Sequence, residues 1–475
     1  MLSPRASKKI IASTAIYMLI YMAFVLMLAI WCESNWNASF AGGYAKAVFP
    51  WIIASLIINV CGFVFVKKVG YVDMGLLYVL CSYLFMFGHV YIDVLNLKTT
   101  LTWNPAIYFS DSVKFHASIY VVLCLSVISW ACLLVKYPKE SYLQLDEEQN
   151  AKQRKVMLKT GWLFLAIGFV ANAINSGKII MATLATGSYA SYTTANTEGI
   201  IDDLAYLLVP GILNVFCSKT LSKRKNGVLL IAAIAYFIIT MVFSGSRKTQ
   251  IFAIATILLC YLWTQKREKI TAKKLIVLII CGILFLNLIY VIRENRFDLV
   301  TIVPKYFESL GSFKFIGAIV GETFAEAGLS FYSVVAIIDN VPSHFSYELG
   351  MTLIRTIPSI LPIGWAVGDF FNKAASSYVI NRYTGLPVGT SILGDFYWNW
   401  GFIVGIIASF IFGTIISKTT NRTLSVVSKE PVYFSVLYIL LIGIRAGIFE
   451  LFRPLIMVTL VPYIIKLLLF GRNCR

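Results

Sequence analysis

Apolar runs of about 20 residues recur from one end of this 475-residue chain to the other, long enough to cross a bilayer as helices. Inside such a run no water is present to satisfy backbone N–H and C=O groups, so the segment must bond internally. The chain therefore reads as an all-α polytopic integral membrane protein. Charged residues make up 13% and hydrophobic ones 59%, where a soluble domain carries about 25% charged. A soluble enzyme, a disulfide-rich secreted domain and a disordered tail are excluded. The 41 Lys+Arg exceed the 23 Asp+Glu, for a net charge of +18. On a soluble protein that excess would point to nucleic acid. Here it reads first as basic residues retained in cytoplasmic loops, with no nucleic-acid partner.

Hydropathy predicts about twelve spans, near 10–32, 48–66, 71–92, 116–135, 159–175, 200–218, 228–245, 249–265, 275–292, 399–417, 432–447 and 453–470. The first is too long for a signal-peptide core and no small-residue cleavage site follows it, so it reads as a retained anchor. Basic clusters at Arg5–Lys9, Lys67–Lys68, Lys136–Lys159, Lys219–Lys225, Lys266–Lys274, Lys418–Lys429 and Lys466–Arg475 fall on alternate sides in sequence. That pattern puts both termini in the cytoplasm. The chain divides into nine spans over 1–292, a long external loop over 293–398 and three spans over 399–475. Two stretches of the loop, 315–338 and 351–367, are apolar; a thirteenth and fourteenth span would preserve parity, but the link Asn340–Gly350 holds no Lys or Arg, so amphipathic or re-entrant helices against the outer face are the preferred reading. A loop this long and this apolar is the expected active region.

Much chemistry is missing. The nine cysteines sit almost entirely inside spans, with none in the long loop, and show no CxxC spacing. His89, His116 and His344 are scattered, so neither a zinc site nor a Ser-His-Asp triad is expected. Ser246-Arg247-Lys248-Thr249 ends like a phosphate loop but lacks the glycine before lysine. Asp202–Asp203 is an acid pair, yet no D-x-D follows the pattern that holds a nucleotide-sugar metal. Neither a metal nor a cofactor is expected.

The basic residues on the outer side carry more information. Of the 41, this topology leaves 15 outside, and the four in the first half are all lysine: Lys46, Lys98, Lys114 and Lys178. From residue 247 onward seven of the eleven are arginine: Arg247, Arg293, Arg296, Arg355, Arg382, Arg445 and Arg453. External positive charge opposes the insertion bias, and charge at or inside span ends is costly. Guanidinium presents a planar fork that binds phosphate oxygens in pairs, which ammonium cannot do. An outward-facing site for a phosphate-bearing ligand follows. Local explanations stand beside it: Arg293 and Arg296 share a helical face near Glu294 and Asp298, and Arg453 is three residues from Glu450.

The external acids are Glu322, Glu326, Asp339, Glu348, Asp369 and Asp395. Glu322 and Glu326 are one helical turn apart. They either form a carboxylate pair that acts as a base or mark the wet face of an amphipathic helix. Asp395 is the more pointed candidate for the base, lying in Gly389-Thr390-Ser391-Ile392-Leu393-Gly394-Asp395-Phe396-Tyr397-Trp398-Asn399-Trp400-Gly401. A carboxylate for a hydroxyl, with Tyr397 and Trp398 offering ring faces, suits a sugar. The same aromatics also suit the belt at a membrane interface.

The chain resembles the Wzy-type oligosaccharide repeat-unit polymerases of bacterial O-antigen and capsule synthesis. The likeness rests on the span plan with its late external loop, on Ser244-Gly245-Ser246-Arg247 between two spans, on the Gly394–Gly401 block, and on Arg445 near the end of a late span. The resemblance implies a GT-C-like plan in the bacterial cytoplasmic (inner) membrane. It also implies metal-independent glycosyl transfer between undecaprenyl-pyrophosphate-linked units at the outer face. Membrane lipid, a flippase and a chain-length regulator are the implied partners. An O-antigen ligase, or a lipid-linked-oligosaccharide flippase or transporter, is the alternative.

Overall fold

The computed structural model describes residues 4–36, 40, 43–67, 73–99, 104–135, 147–186, 199–244, 248–265, 304, 314–360, 370, 372–386, 388–424 and 429–470. Every regular element among the described residues is helical. Nine of these helices are long and apolar enough to cross a membrane. The predicted span at 275–292, with Arg247, Arg293, Arg296 and Asp369, lies outside the described residues.

The first half supplies α1 (Pro4–Asn35), α2 (Tyr44–Cys61, continued by a π turn over Gly62–Lys67), α3 (Met74–Leu95) and α4 (Asp111–Leu134). Then come α5 (Glu147–Thr186), α6 (Ile200–Ala205), α7 (Leu208–Ser218), α8 (Lys223–Ser244) and α9 (Lys248–Gln265). Polar residues start the central helices. The Asp73 side chain accepts from Leu76 N–H at 3.0 Å at the head of α3, and Ser110 accepts from Val113 N–H at 3.3 Å at the head of α4.

Two ion pairs mark one end of the bundle. Lys67 meets Asp73 at 3.2 Å and donates to Ser417 at 3.1 Å. Lys219 meets Glu430 at 3.2 Å. Lysines placed where hydropathy puts the cytoplasmic ends are thus held by acids from other helices, which offsets the cost of burying them.

The apolar stretch predicted at 315–338 lies within α10 (Lys314–Asn340), and α10 packs lengthwise on α3. Ala325, Phe331, Tyr332 and Val334–Ile337 are buried there. The crossing is at Gly88 and Gly328, where the two backbones touch. A Cβ on Gly88 would stand 2.1 Å from Phe324 O and 2.9 Å from Gly328 N. Small residues at such a crossing let helices approach where side chains would hold them apart. The apolar run of α10 is used against a neighbouring helix, α3.

The last part comprises α11 (Met351–Thr356, followed by a 3₁₀ turn over Ile357–Ile360), α12 (Ser376–Thr384), α13 (Ile392–Leu424), α14 (Glu430–Ile442) and α15 (Ile448–Phe470). The span predicted at 399–417 begins earlier and is broken. Gly401 has φ +72° and ψ −164°, so 392–400 and 402–424 are two helices joined by a sharp turn. Phe396 lies against Phe412 across that turn, ring centroids 5.8 Å apart, so 392–400 folds back on the helix that follows. The span predicted at 432–447 is interrupted as well: α14 stops at Ile442, a 3₁₀ turn covers Gly443–Arg445, and Ala446 is extended.

Candidate active site

The folded-back segment 392–400 is the hub on which the late elements converge. Asn399 is fully buried; its side-chain oxygen accepts from Gly350 N–H at 3.0 Å and from the Thr352 hydroxyl at 2.9 Å. Its amide nitrogen donates to Asp395 O at 2.8 Å. Backbone bonds from Glu348 N to Trp398 O (3.1 Å) and Leu349 N to Asn399 O (2.9 Å) fasten the approach to α11. α11 and its 3₁₀ turn in turn pack on α15. One short segment thereby registers Glu348, Arg355 and the head of α15.

Asp395 sits in this hub, 2% exposed. Oδ1 accepts from the Ser376 hydroxyl at 2.5 Å and from Thr390 Oγ1 at 3.3 Å; Oδ2 accepts from Ile448 N–H at 2.6 Å. Ser376 and Thr390 are also hydrogen-bonded to each other. The carboxylate therefore ties the start of α12, the strand-like turn before α13 and the first N–H of α15.

Three of the predicted arginines surround the same region. Arg355 pairs with Glu348 at 2.6 Å and reaches Lys373 O at 3.5 Å. Arg453 pairs with Asp203 of α6, whose neighbour Asp202 accepts from Asn175 at 2.9 Å. The sequence suggested Glu450 for Arg453, but the observed bond crosses 250 residues and joins α6 to α15. Arg445, at the end of the 3₁₀ turn after α14, lies over the Phe85 ring at 5.5 Å. Phe85 also packs on Phe252 of α9, centroids 5.6 Å apart. The helix that follows Arg247 is thus led to the Arg445 ring platform, although Arg247 itself lies outside the described residues. All of this is at the ends of α14 and α9 opposite to Glu430 and to Cys260, which meets Cys217 at 3.6 Å beside the lysine-marked end.

The remaining candidates fall elsewhere. Glu322 and Glu326 are half-buried on α10. Ile337 is the α10 residue that presses on Gly394, and Glu326 is about 16 Å farther along that helix at 1.5 Å per residue. Tyr397 is 8% exposed and meets Tyr120 edge-on at 5.3 Å, while Trp398 is 1% exposed. Protein neighbours cover the ring faces read as a sugar platform. Two groups were not singled out as site acids from the sequence: Asp203, and Glu450, an exposed carboxylate on the first turn of α15 with the Ser377 hydroxyl 3.5 Å away. Asp203 is far in sequence from the motif blocks, whereas Glu450 lies five residues after Arg445 and was read only as a local partner for Arg453.

A double-mutant cycle on Asp203→Asn and Arg453→Gln is expected to give a coupling of about 1–2 kcal/mol in thermal unfolding in detergent. Strict additivity would show that the pair holds nothing.

An all-helical bundle with nine helices long and apolar enough to cross a membrane, among the described residues, fits a polytopic membrane protein. The family model for O-antigen polysaccharide polymerase Wzy matches residues 10–474, and the chain belongs to this family. Comparison with curated proteins and with solved structures gives no match.

Proposed function

We propose that the chain joins undecaprenyl-pyrophosphate-linked oligosaccharide repeat units into O-antigen or capsular polysaccharide at the outer face of the bacterial cytoplasmic membrane, with both termini cytoplasmic. Family membership supports repeat-unit polymerisation. The observation that carries the site is the placement of Arg355 and Arg453 on carboxylates, Glu348 and Asp203, and of Arg445 on the Phe85 ring, among the late elements that converge on 392–400. Arg247, Arg293 and Arg296 join this set on sequence grounds.

In this reading the arginines receive the donor's pyrophosphate. Transfer develops negative charge on the leaving oxygen, and fixed guanidinium groups in a low-dielectric site stabilise that charge more than they stabilise the neutral sugar. Pyrophosphate departs without needing a proton, so the chain must supply anion binding and one carboxylate to take the acceptor's proton. Arg355 and Arg453 are already paired with Glu348 and Asp203, which keeps their forks oriented before substrate arrives and lowers the cost of holding them in the membrane.

The test is reconstitution. Purified protein in proteoliposomes supplied with lipid-linked repeat units is expected to yield a ladder of products differing by one repeat, unchanged by EDTA. Transfer to a different acceptor with no ladder would favour a ligase. Units moved between leaflets with no new glycosidic bond would favour a flippase.

A further inference from the structure

Asp395 has the residue type and motif setting of a base but not the geometry of one. Its two oxygens already accept three hydrogen bonds from Ser376, Thr390 and Ile448 N–H, and the residue is 2% exposed. Gly447 closes the remaining side: a Cβ there would stand 2.6 Å from Oδ2 and 3.0 Å from Thr390 Oγ1. An acceptor sugar hydroxyl could reach this carboxylate only after that clasp had come apart. Two residues beyond Ile448, Glu450 projects an exposed carboxylate from the same helix head, and three residues before it Arg445 rests on Phe85. The bond from Ile448 N–H to Asp395 therefore sits between a guanidinium and a solvent-exposed carboxylate on one short connection. Ser377, adjacent to the Ser376 that Asp395 holds, meets Glu450 at 3.5 Å.

We infer that Glu450 is the group that takes the acceptor proton, and that Asp395 is a positioning residue that fixes the Arg445–Glu450 connection. This assignment rests on the polymerase reading given above. In the step, the acceptor hydroxyl oxygen bonds to the donor's anomeric carbon. The bond from that carbon to the pyrophosphate oxygen breaks and its electron pair leaves with the lipid pyrophosphate. The hydroxyl proton passes to the Glu450 carboxylate and from there to water. Arg445 faces the departing charge while Glu450 faces the incoming hydroxyl. Their relative placement is set by a turn too short to hold it alone, since Gly443–Ala446 is a 3₁₀ turn running into extended backbone. Asp395 supplies the missing constraint by anchoring the α15 N–H, and Ser376 carries the same constraint to Ser377.

The experiment is the proteoliposome ladder assay with kcat and KM for the lipid-linked unit measured separately, with and without added formate. Glu450→Gln is expected to lower kcat by about 10²–10⁴-fold with KM within about twofold of wild type, and formate is expected to restore part of the activity of Glu450→Ala. Asp395→Asn is expected to raise KM and lower kcat together, because both anion and base shift, and Asp395→Ala is expected to show no rescue by formate. Should Asp395→Ala not fold, Ser376→Ala serves in its place: loss of one clasp donor is expected to move KM and kcat together by a smaller factor. Wild-type extension by Glu450→Gln, or formate rescue at position 395 in place of 450, overturns the assignment. A wild-type protein that makes no ladder overturns the polymerase reading instead, which the variants alone would not do.

Discussion

Arg445→Lys is expected to slow chain extension about a hundredfold while the protein still inserts and folds. The guanidinium lies over the Phe85 ring at 5.5 Å, a placement that orients its plane and leaves its N–H groups directed along that plane. Lysine keeps the charge but replaces a rigid fork by a single ammonium on a flexible stem. The change therefore removes geometry rather than charge, and the loss should fall on kcat, where leaving-group charge matters, more than on KM. Arg445→Ala removes both and should cost about 10²–10³-fold, the range for deleting one preorganised donor to a developing anion. Phe85→Leu, which takes away the ring but leaves the guanidinium, should give a smaller loss. The rate of repeat addition in proteoliposomes checks all three. Equal activity of the lysine variant and wild type would show that Arg445 acts only as a distant charge.

Gly88→Leu should be the most damaging substitution outside the site. A side chain there must displace the α10 backbone, since a Cβ alone would meet Phe324 O at 2.1 Å and Gly328 Cα at 3.0 Å. Backbone atoms cannot swing aside as a flexible side chain can, so the cost is expected at about 3 kcal/mol or more, the upper range of overpacking. The damage should also travel. Ile337 of α10 presses on Gly394, next to Asp395, so separating α10 from α3 loosens the hub that registers the arginines. The fraction of monodisperse protein in detergent and its midpoint of thermal unfolding are the measurements. Gly177→Ala is the control, because nothing stands within 4 Å of a Cβ at that position. That position lies inside α5, so the substitution should stabilise by up to about 1 kcal/mol rather than destabilise.

Most of the bundle could be read from hydropathy because each span must satisfy its own backbone and be apolar toward lipid, and both demands are local. The ends of α3, and of α6 and α7 taken together, fall within a few residues of where apolarity begins and stops. Where the reading failed, the deciding interaction was distant or geometrical. Apolar and aromatic residues run through Gly401 without a break, and one positive φ folds the chain back there. The composition that suggested sugar rings at Tyr397 and Trp398 is the same composition that fills a core. Asp395 stands out in its motif, but its bond from the Ile448 N–H, 53 residues later, follows no local spacing. The arginine-rich half includes Arg355 and Arg453, each held by a carboxylate, and Arg445, which lies over Phe85. Their partners Glu348 and Asp203 follow no helical spacing and could not be assigned from it.

The bond between Asp203 and Arg453 has a meaning in time as well as in space. Its two ends are 250 residues apart, and ribosomes add about 5–20 residues per second, so roughly 10–50 s separate their synthesis. During that interval the Asp202–Asp203 pair has entered the membrane without its guanidinium, and the last helix arrives as the closing piece. A chain stopped before α15 would carry an unneutralised acidic pair in α6 and a hub whose Asp395 has lost one of its three donors.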